Sequence, residues 1–116
     1  MAIPHAASGD LIDVRPLGAT LRQAISTTLI RLDHLEVFRL VLLAGESVPD
    51  HKLPRTCQVP SVITIQCLEG TVEVKAYGRS QVMHAGTMMY LAGGVAHALK
   101  SVEDSSVLVT MLVRRE

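Results

Sequence analysis

Two histidines in this chain lie a short distance after a glycine, and their chemistry suits a binding site. His51 lies six positions after Gly45, and His97 lies three positions after Gly94. A neutral imidazole binds first-row transition metals, and it also donates and accepts hydrogen bonds. If folding brings the two rings together, they can hold a divalent metal or orient a polar small molecule. His51 and His97 are therefore the first candidates for a binding site.

The residues around these histidines resemble the two signature motifs of the cupin family. The first motif is matched by Gly45, His51 and Gly70, and the second by Gly86, Gly94 and His97. Ala92 stands where the second motif has proline, and Ser101 stands where it has asparagine. The resemblance covers about residues 36–113. It implies an all-β fold, the double-stranded β-helix or jelly-roll barrel of small RmlC-like cupins, with short helices or none.

The first motif lacks two of the metal ligands that are usual in cupins. Leu53 stands in place of the second histidine, and counting back from the closing glycine puts Ile63 or Val62 in place of the glutamate. Counting forward from the first histidine reaches Cys57 or Gln58 instead, because the 19 positions from histidine to glycine exceed the pattern by about five. None of these residues is acidic, so the resemblance implies a pocket but leaves its chemistry open.

Two functions are compatible with the resemblance. In the first, His51 and His97 hold Fe, Mn, Zn or Ni with a third ligand from Gln66, Gln58 or His84, and the metal assists dioxygenation, isomerisation or decarboxylation of a small substrate. In the second, the barrel binds or senses a small molecule without a metal, and the histidines supply hydrogen bonds. The missing carboxylate favours the binding protein, and the retained histidine pair favours the metal.

The apolar run at residues 62–68 predicts a strand whose alternate residues lie on opposite faces. Thr64 and Gln66 share one face, and Ile63 and Ile65 share the other. A shift of one residue exchanges the two faces, so the pattern allows a polar or an apolar cavity. We favour the polar face as the pocket wall, because an apolar face can be buried between subunits. Thr64 and Gln66 are therefore predicted pocket residues.

Further apolar and β-branched runs predict an antiparallel sandwich or barrel. The predicted strands cover residues 27–32, 36–43, 71–76, 81–84, 88–91, 97–101 and 107–113. A helix over residues 19–26 competes with an extended start of the domain. We predict an N-terminal arm at residues 1–20, loose unless a partner subunit pins it, and one cupin barrel at residues 21–116. The loop from Leu53 to Ser61 either caps the pocket or lies outside it.

Composition narrows the partners and the compartment. The chain has 116 residues, a formal net charge of zero and no basic cluster larger than Arg114–Arg115, which argues against a nucleic-acid partner. No apolar run is long enough to span a bilayer, so no membrane partner is expected. Only two cysteines occur, and Cys67 lies in an apolar run, which predicts a buried free thiol and a cytoplasmic protein. The expected partners are a small-molecule ligand and a second copy of the chain in a homodimer.

Overall fold

Short apolar runs separated by tight turns form strands throughout the described part of the chain. The structure, a computed structural model, describes residues 5–48, the backbone of residues 57–58, and residues 61–112. The strands are β1 Thr27–Arg31, β2 Leu35–Leu42, β3 Ser47–Val48, β4 Cys57–Gln58, β5 Ile63–Glu69, β6 Thr71–Ala76, β7 Arg79–His84, β8 Met88–Leu91, β9 Ala96–Ser101 and β10 Ser105–Leu112. A 3-10 helix, Gly18–Gln23, precedes them. It replaces the longer helix considered for residues 19–26.

The strands form two antiparallel sheets, which confirms the predicted all-β class. The first sheet has the order β1-β2-β10-β5-β8 and the second the order β3-β9-β6-β7, with β4 also paired to β9. Strands distant in sequence lie side by side in both sheets, as in a jelly roll, and not in the consecutive order of a simple meander. No helix in the described ranges is long and apolar enough to cross a membrane.

The core lies between the inner faces of the two sheets. Its buried members are Ile63, Ile65, Cys67, Val72, Val74, Met83, Leu91, Leu99, Val107 and Val109. Along β5, β6 and β10 these residues alternate with more exposed ones, which is the period-two pattern of a strand buried on one face. Cys67 is a free buried thiol as predicted, and burial raises its pKa above the ordinary thiol value.

The inner face of β5 is the apolar one, which reverses the orientation favoured from the sequence. Ile63 is only 4% exposed and belongs to the core. Thr64 pairs with Tyr90, and Gln66 pairs with Met88, across the β5–β8 ladder. Tyr90 is 66% exposed and Met88 is 63% exposed. Residues directly opposite in an antiparallel ladder share a face, so Thr64 and Gln66 lie on the outer face and do not line the barrel interior.

Residues N-terminal to β1 lie against the outer face of the first sheet of the same chain. The Glu69 carboxylate accepts hydrogen bonds from the backbone N–H groups of Leu17, at 2.8 Å, and Gly18, at 3.0 Å. It also accepts one from the Ser106 hydroxyl on β10, at 2.6 Å. Leu21 in the 3-10 helix is buried. Glu69 therefore connects the N-terminal segment to two strands of the barrel, while packing of residues 1–20 on a partner subunit stays a prediction.

Candidate functional site

His97 is one of the few polar side chains among the buried residues described. It lies on β9, where it alternates with exposed residues and shares the inner face with buried Leu99 and Ser101. Its ring is only 4% exposed, and its Nδ1 atom lies 3.1 Å from the carbonyl oxygen of Val95. A carbonyl oxygen only accepts hydrogen bonds, so Nδ1 is the donor in this contact, and Nε2 is the ring nitrogen left to contact a ligand.

The strand register places His97 in a row of inward positions at one end of the barrel. Ala76 on β6 lies directly opposite His97 on one side and directly opposite Arg79 of β7 on the other. The adjacent row runs from Leu99 through Val74 to Gln81. Because residues opposite each other in these ladders share a face, Arg79 and Gln81 lie on the same inner face as His97.

A small cavity lies at this end of the barrel, and it is lined by Ala76, the residue opposite His97, but not by His97 itself. Its volume is about 120 Å³, and Arg79 and Gln81 contribute polar side chains to its lining. Apolar side chains of Val74, Met89 and Leu91 line it as well. One water molecule occupies about 30 Å³ in the liquid, so the cavity has room for a molecule of a few heavy atoms. The site can therefore enclose a small ligand with an apolar part and a hydrogen-bonding part.

The predicted partner of His97 lies outside the described residues. His51 belongs to the segment of residues 49–56, and the structure therefore does not test whether the two imidazoles meet. For Gln58 the structure describes the backbone alone, and the β4–β9 register places it opposite Ala96, while Cys57 is opposite His97. The predicted lid at residues 53–61 also falls mainly outside the described ranges.

The described residues do not fit the metal site that the cupin motif implies. No group of three or more His, Cys, Asp or Glu side chains in the described ranges is arranged to hold a metal ion. Ile63, one of the two candidates for the place of the glutamate, is an apolar core residue. His84 is exposed and lies five residues along β7 from Arg79, about 16 Å at ~3.3 Å per residue. Since Gln66 faces outward, neither His84 nor Gln66 completes a site with His97, which corrects the prediction for both.

Arg79 and Gln81 were not among the predicted site residues, and the predicted strand began only at residue 81, whereas β7 begins at Arg79. The turn before it has only two residues, Tyr77 with a φ of 55° and Gly78 with a φ of 72°. Positive φ at both central residues is typical of the type I′ turn, which joins antiparallel strands without a longer loop. The strand therefore begins at Arg79. The sequence did contain a signal for this placement. Arg79, Gln81 and apolar Met83 are spaced two residues apart, and such residues lie on the same face of a strand.

Comparisons with known proteins identify the fold through structure and not through sequence. No family model and no curated protein matches the chain, whereas 270 chains of solved structures do. A conserved protein of unknown function from Streptococcus pyogenes is 19% identical, with a TM-score of 0.71 over 100% of this chain and 97% of that one. A cupin superfamily protein from Desulfitobacterium hafniense is 16% identical, with a TM-score of 0.73 over 94% of this chain and 100% of that one.

A larger enzyme contains a similar unit. Salicylate 1,2-dioxygenase from Pseudoaminobacter salicylatoxidans, in a structure with gentisate, is 16% identical, with a TM-score of 0.60. The match covers 73% of this chain and 21% of that one. Identities at this level show a shared fold and not a shared activity. The two antiparallel sheets, the strand order and these likenesses together show that the chain has the cupin fold.

Proposed function

We propose that this protein binds a small molecule in the end of its barrel beside His97. The observation that carries the proposal is the cavity of about 120 Å³ lined by Arg79 and Gln81. Ligand sites are typically concave and mostly apolar, with a few polar groups that fix the orientation of the ligand. Val74, Met89 and Leu91 supply the apolar wall, and the two polar side chains of β7 supply donors. This function needs no metal, which agrees with the apolar character of Ile63.

Blocking the cavity tests this function. In Gln81→Trp a large ring fills the cavity at an exposed position, so we expect the fold to be retained. Val82→Trp is the matched control, because Val82 lies next to it on the outer face of β7 and is exposed as well. Compounds from a panel of small polar metabolites should raise the melting temperature of the wild type and of Val82→Trp but not of Gln81→Trp. Equal shifts in all three proteins, or no shift with any compound, would contradict the proposal.

The second candidate, a metal-assisted enzyme, is favoured by the state of His97. The Nδ1–H group held by the Val95 carbonyl resembles the second-shell hydrogen bond that orients metal-binding histidines. The salicylate dioxygenase with the same fold is an enzyme that acts on a small molecule. Metal analysis of protein purified without a histidine tag separates the candidates. Stoichiometric Fe, Mn, Zn or Ni that is lost in His97→Ala supports the enzyme. Metal-free protein that none of these ions stabilises against heat supports the binding protein.

We also propose that the β8 edge of the outer face of the first sheet forms a homodimer interface. Met88 and Tyr90 project from this face on β8, which is an edge strand of the sheet. Their cross-strand neighbours Gln66 and Thr64 are uncharged. Large exposed apolar side chains on an edge strand favour association with another chain. Sedimentation should give a dimer for the wild type and a monomer for Tyr90→Lys. Val82→Lys, on the outer face of the other sheet, should remain dimeric, and a monomeric wild type would contradict the proposal.

A further inference from the structure

We infer that the ligand of the barrel cavity is a small carboxylic acid, bound through its carboxylate by Arg79 with the Gln81 amide as a second donor. This inference rests on the proposed function, because it names the ligand class of the same cavity. The guanidinium of Arg79 presents several N–H donors in a planar arrangement that matches the two oxygens of a carboxylate. Gln81 lies two residues along the same face of β7, so its amide N–H can donate to the same group.

The charge distribution around the cavity favours an anion. The described ion pairs use other cations, among them Arg31, which pairs with Glu36 at 3.7 Å, and Lys75, which pairs with Glu73 at 3.9 Å. Glu73 alternates with buried residues of β6 and therefore lies on the outer face. Glu36 is on β2, three strands away from β8 and so about 14 Å from it at ~4.8 Å per strand. Within residues 5–48 and 61–112 no ion pair involves Arg79, so a bound anion can neutralise its charge.

The size and lining of the cavity favour a monocarboxylate over a larger or more highly charged anion. A volume of about 120 Å³ admits only a few heavy atoms. One guanidinium and one amide balance a single negative charge better than the two charges of a phosphate monoester. The remaining wall, formed by Val74, Met89 and Leu91, is apolar and suits a short carbon chain. The expected ligand is therefore an acid whose carboxylate meets β7 and whose carbon part packs against β8.

Matched pairs of acids and amides test the inference directly. Acetate, propionate and butyrate are each compared with acetamide, propanamide and butanamide, which have nearly the same shape but no charge. Titrations followed by protein NMR in low-salt buffer give the affinities. At least one acid should produce saturable shifts in resonances of β7 and β8 and bind about tenfold or more tightly than its amide, because hydrogen bonds to a charged group are stronger than neutral ones.

Substitutions at Arg79 assign the effect to this side chain. Arg79→Gln should weaken acid binding about tenfold or more and by a clearly larger factor than amide binding, whereas Arg79→Lys should retain part of the acid affinity. Lys75→Gln is the matched control, because it removes the same charge from an exposed position on the outer face of the adjacent strand. If Lys75→Gln weakens acid binding as much as Arg79→Gln does, the effect is general electrostatics and the inference is overturned.

The remaining outcomes separate this inference from the proposed function. If acids and amides bind equally and Gln81→Trp abolishes both, the cavity is a binding site but does not select a carboxylate, and only this inference fails. The same conclusion follows if no acid or amide binds while other members of the metabolite panel bind and are lost in Gln81→Trp. If Gln81→Trp affects no ligand at all, the cavity is not a binding site, and the proposed function fails together with the inference.

Discussion

Replacing Ile63 by glutamate tests both the orientation of β5 and the character of the barrel interior. Ile63 is 4% exposed and lies between Met111 of β10 and Leu91 of β8 in the sheet. It is also one of the two residues that counting back along the motif puts in place of the metal-binding glutamate. Ile63→Glu therefore inserts a carboxylate among apolar side chains, and Ile63→Gln inserts a side chain of similar shape without the charge.

The expected cost follows from the burial of the site. The glutamine variant loses buried apolar contacts and places an amide among apolar side chains that cannot form hydrogen bonds with it. It should therefore be destabilised by roughly 2–4 kcal/mol. Full burial raises the pKa of a carboxyl group by about 3–5 units. A rise of about 3 units, from an unfolded value of about 4.3 to a folded value of about 7.3, makes the glutamate variant a further ~3.4 kcal/mol less stable at pH 7, at about 1.36 kcal/mol per unit. Since domains of this kind have about 5–15 kcal/mol of stability, Ile63→Glu should be close to unfolding at neutral pH.

Urea unfolding of the two variants between pH 4 and pH 8 measures this cost. The folded state of Ile63→Glu has the higher pKa, so below the unfolded value of about 4.3 both states are protonated and the two variants should be almost equally stable. As the pH rises above that value, the glutamate variant should lose about 1.4 kcal/mol per pH unit relative to the glutamine variant, until the folded pKa is passed.

Thr64→Glu provides the control on the opposite face of the same strand. Thr64 is paired with exposed Tyr90, so a carboxylate there remains close to water. Its stability should change by less than about 1 kcal/mol and show little dependence on pH in this range. Equal stability of Ile63→Glu and Ile63→Gln at every pH, or a larger pH effect for Thr64→Glu, would show that the apolar face of β5 is not the inner one.

Three further predictions concern Gly70, Glu69 and Cys67, which lie at or just after the C-terminal end of β5. Gly70 has a φ of +84°, and an added Cβ would lie 2.5 Å from a backbone oxygen, whereas Gly78 has a φ of +72° and open space around it. Since the positive-φ penalty is common to both, Gly70→Ala should be destabilised about 1–3 kcal/mol more than Gly78→Ala by thermal unfolding. Partial burial would raise the pKa of Glu69, but hydrogen bonds from two backbone N–H groups and a hydroxyl lower it. The stabilisation lost in Glu69→Gln should thus be present above pH ~4.5 and diminish as the pH falls through the folded pKa, by urea unfolding. The buried Cys67 thiol has a raised pKa and should resist alkylation in the native state and react on unfolding, as followed by peptide mass spectrometry.

The strand positions were predictable because their signals are local. The runs at residues 71–76 and 88–91 alternate or cluster apolar residues between glycine-containing turns, and the structure has strands at those residues. The cupin resemblance followed from glycine spacing, and glycines such as Gly86, with a φ of 91°, occupy positive-φ turns where other residues are strained. Spacing of this kind is informative because a turn with positive φ favours glycine, and a glycine is visible in the sequence.

The faces of the strands were not predictable to the same degree, because they depend on pairing between distant residues. In β5 the pattern allowed either face to be inward, and only pairing with β8 and β10 makes Ile65 a core residue and Gln66 an outer one. Arg79 was not predicted to lie in a strand, because the turn before it has only two residues. His97 was singled out because the second motif is nearly complete, and the structure places it among the buried residues of β9. Its role in a site stays a prediction, whereas the face on which a strand residue lies depends on tertiary pairing.

The absence of the motif's glutamate and the proposal of an anionic ligand both concern the charge of the barrel interior. A barrel that holds a metal needs carboxylate and imidazole ligands directed inward, and the bound cation then attracts an anionic or polar substrate. With Ile63 in the core, the described interior has no carboxylate to hold such a cation. Arg79 supplies a fixed positive charge at the mouth of the same barrel. Under the proposed function, the guanidinium of Arg79 attracts the anionic ligand, as a bound metal cation would in other barrels. Removing its charge should therefore weaken acid binding about tenfold or more without any change in the metal content of the protein.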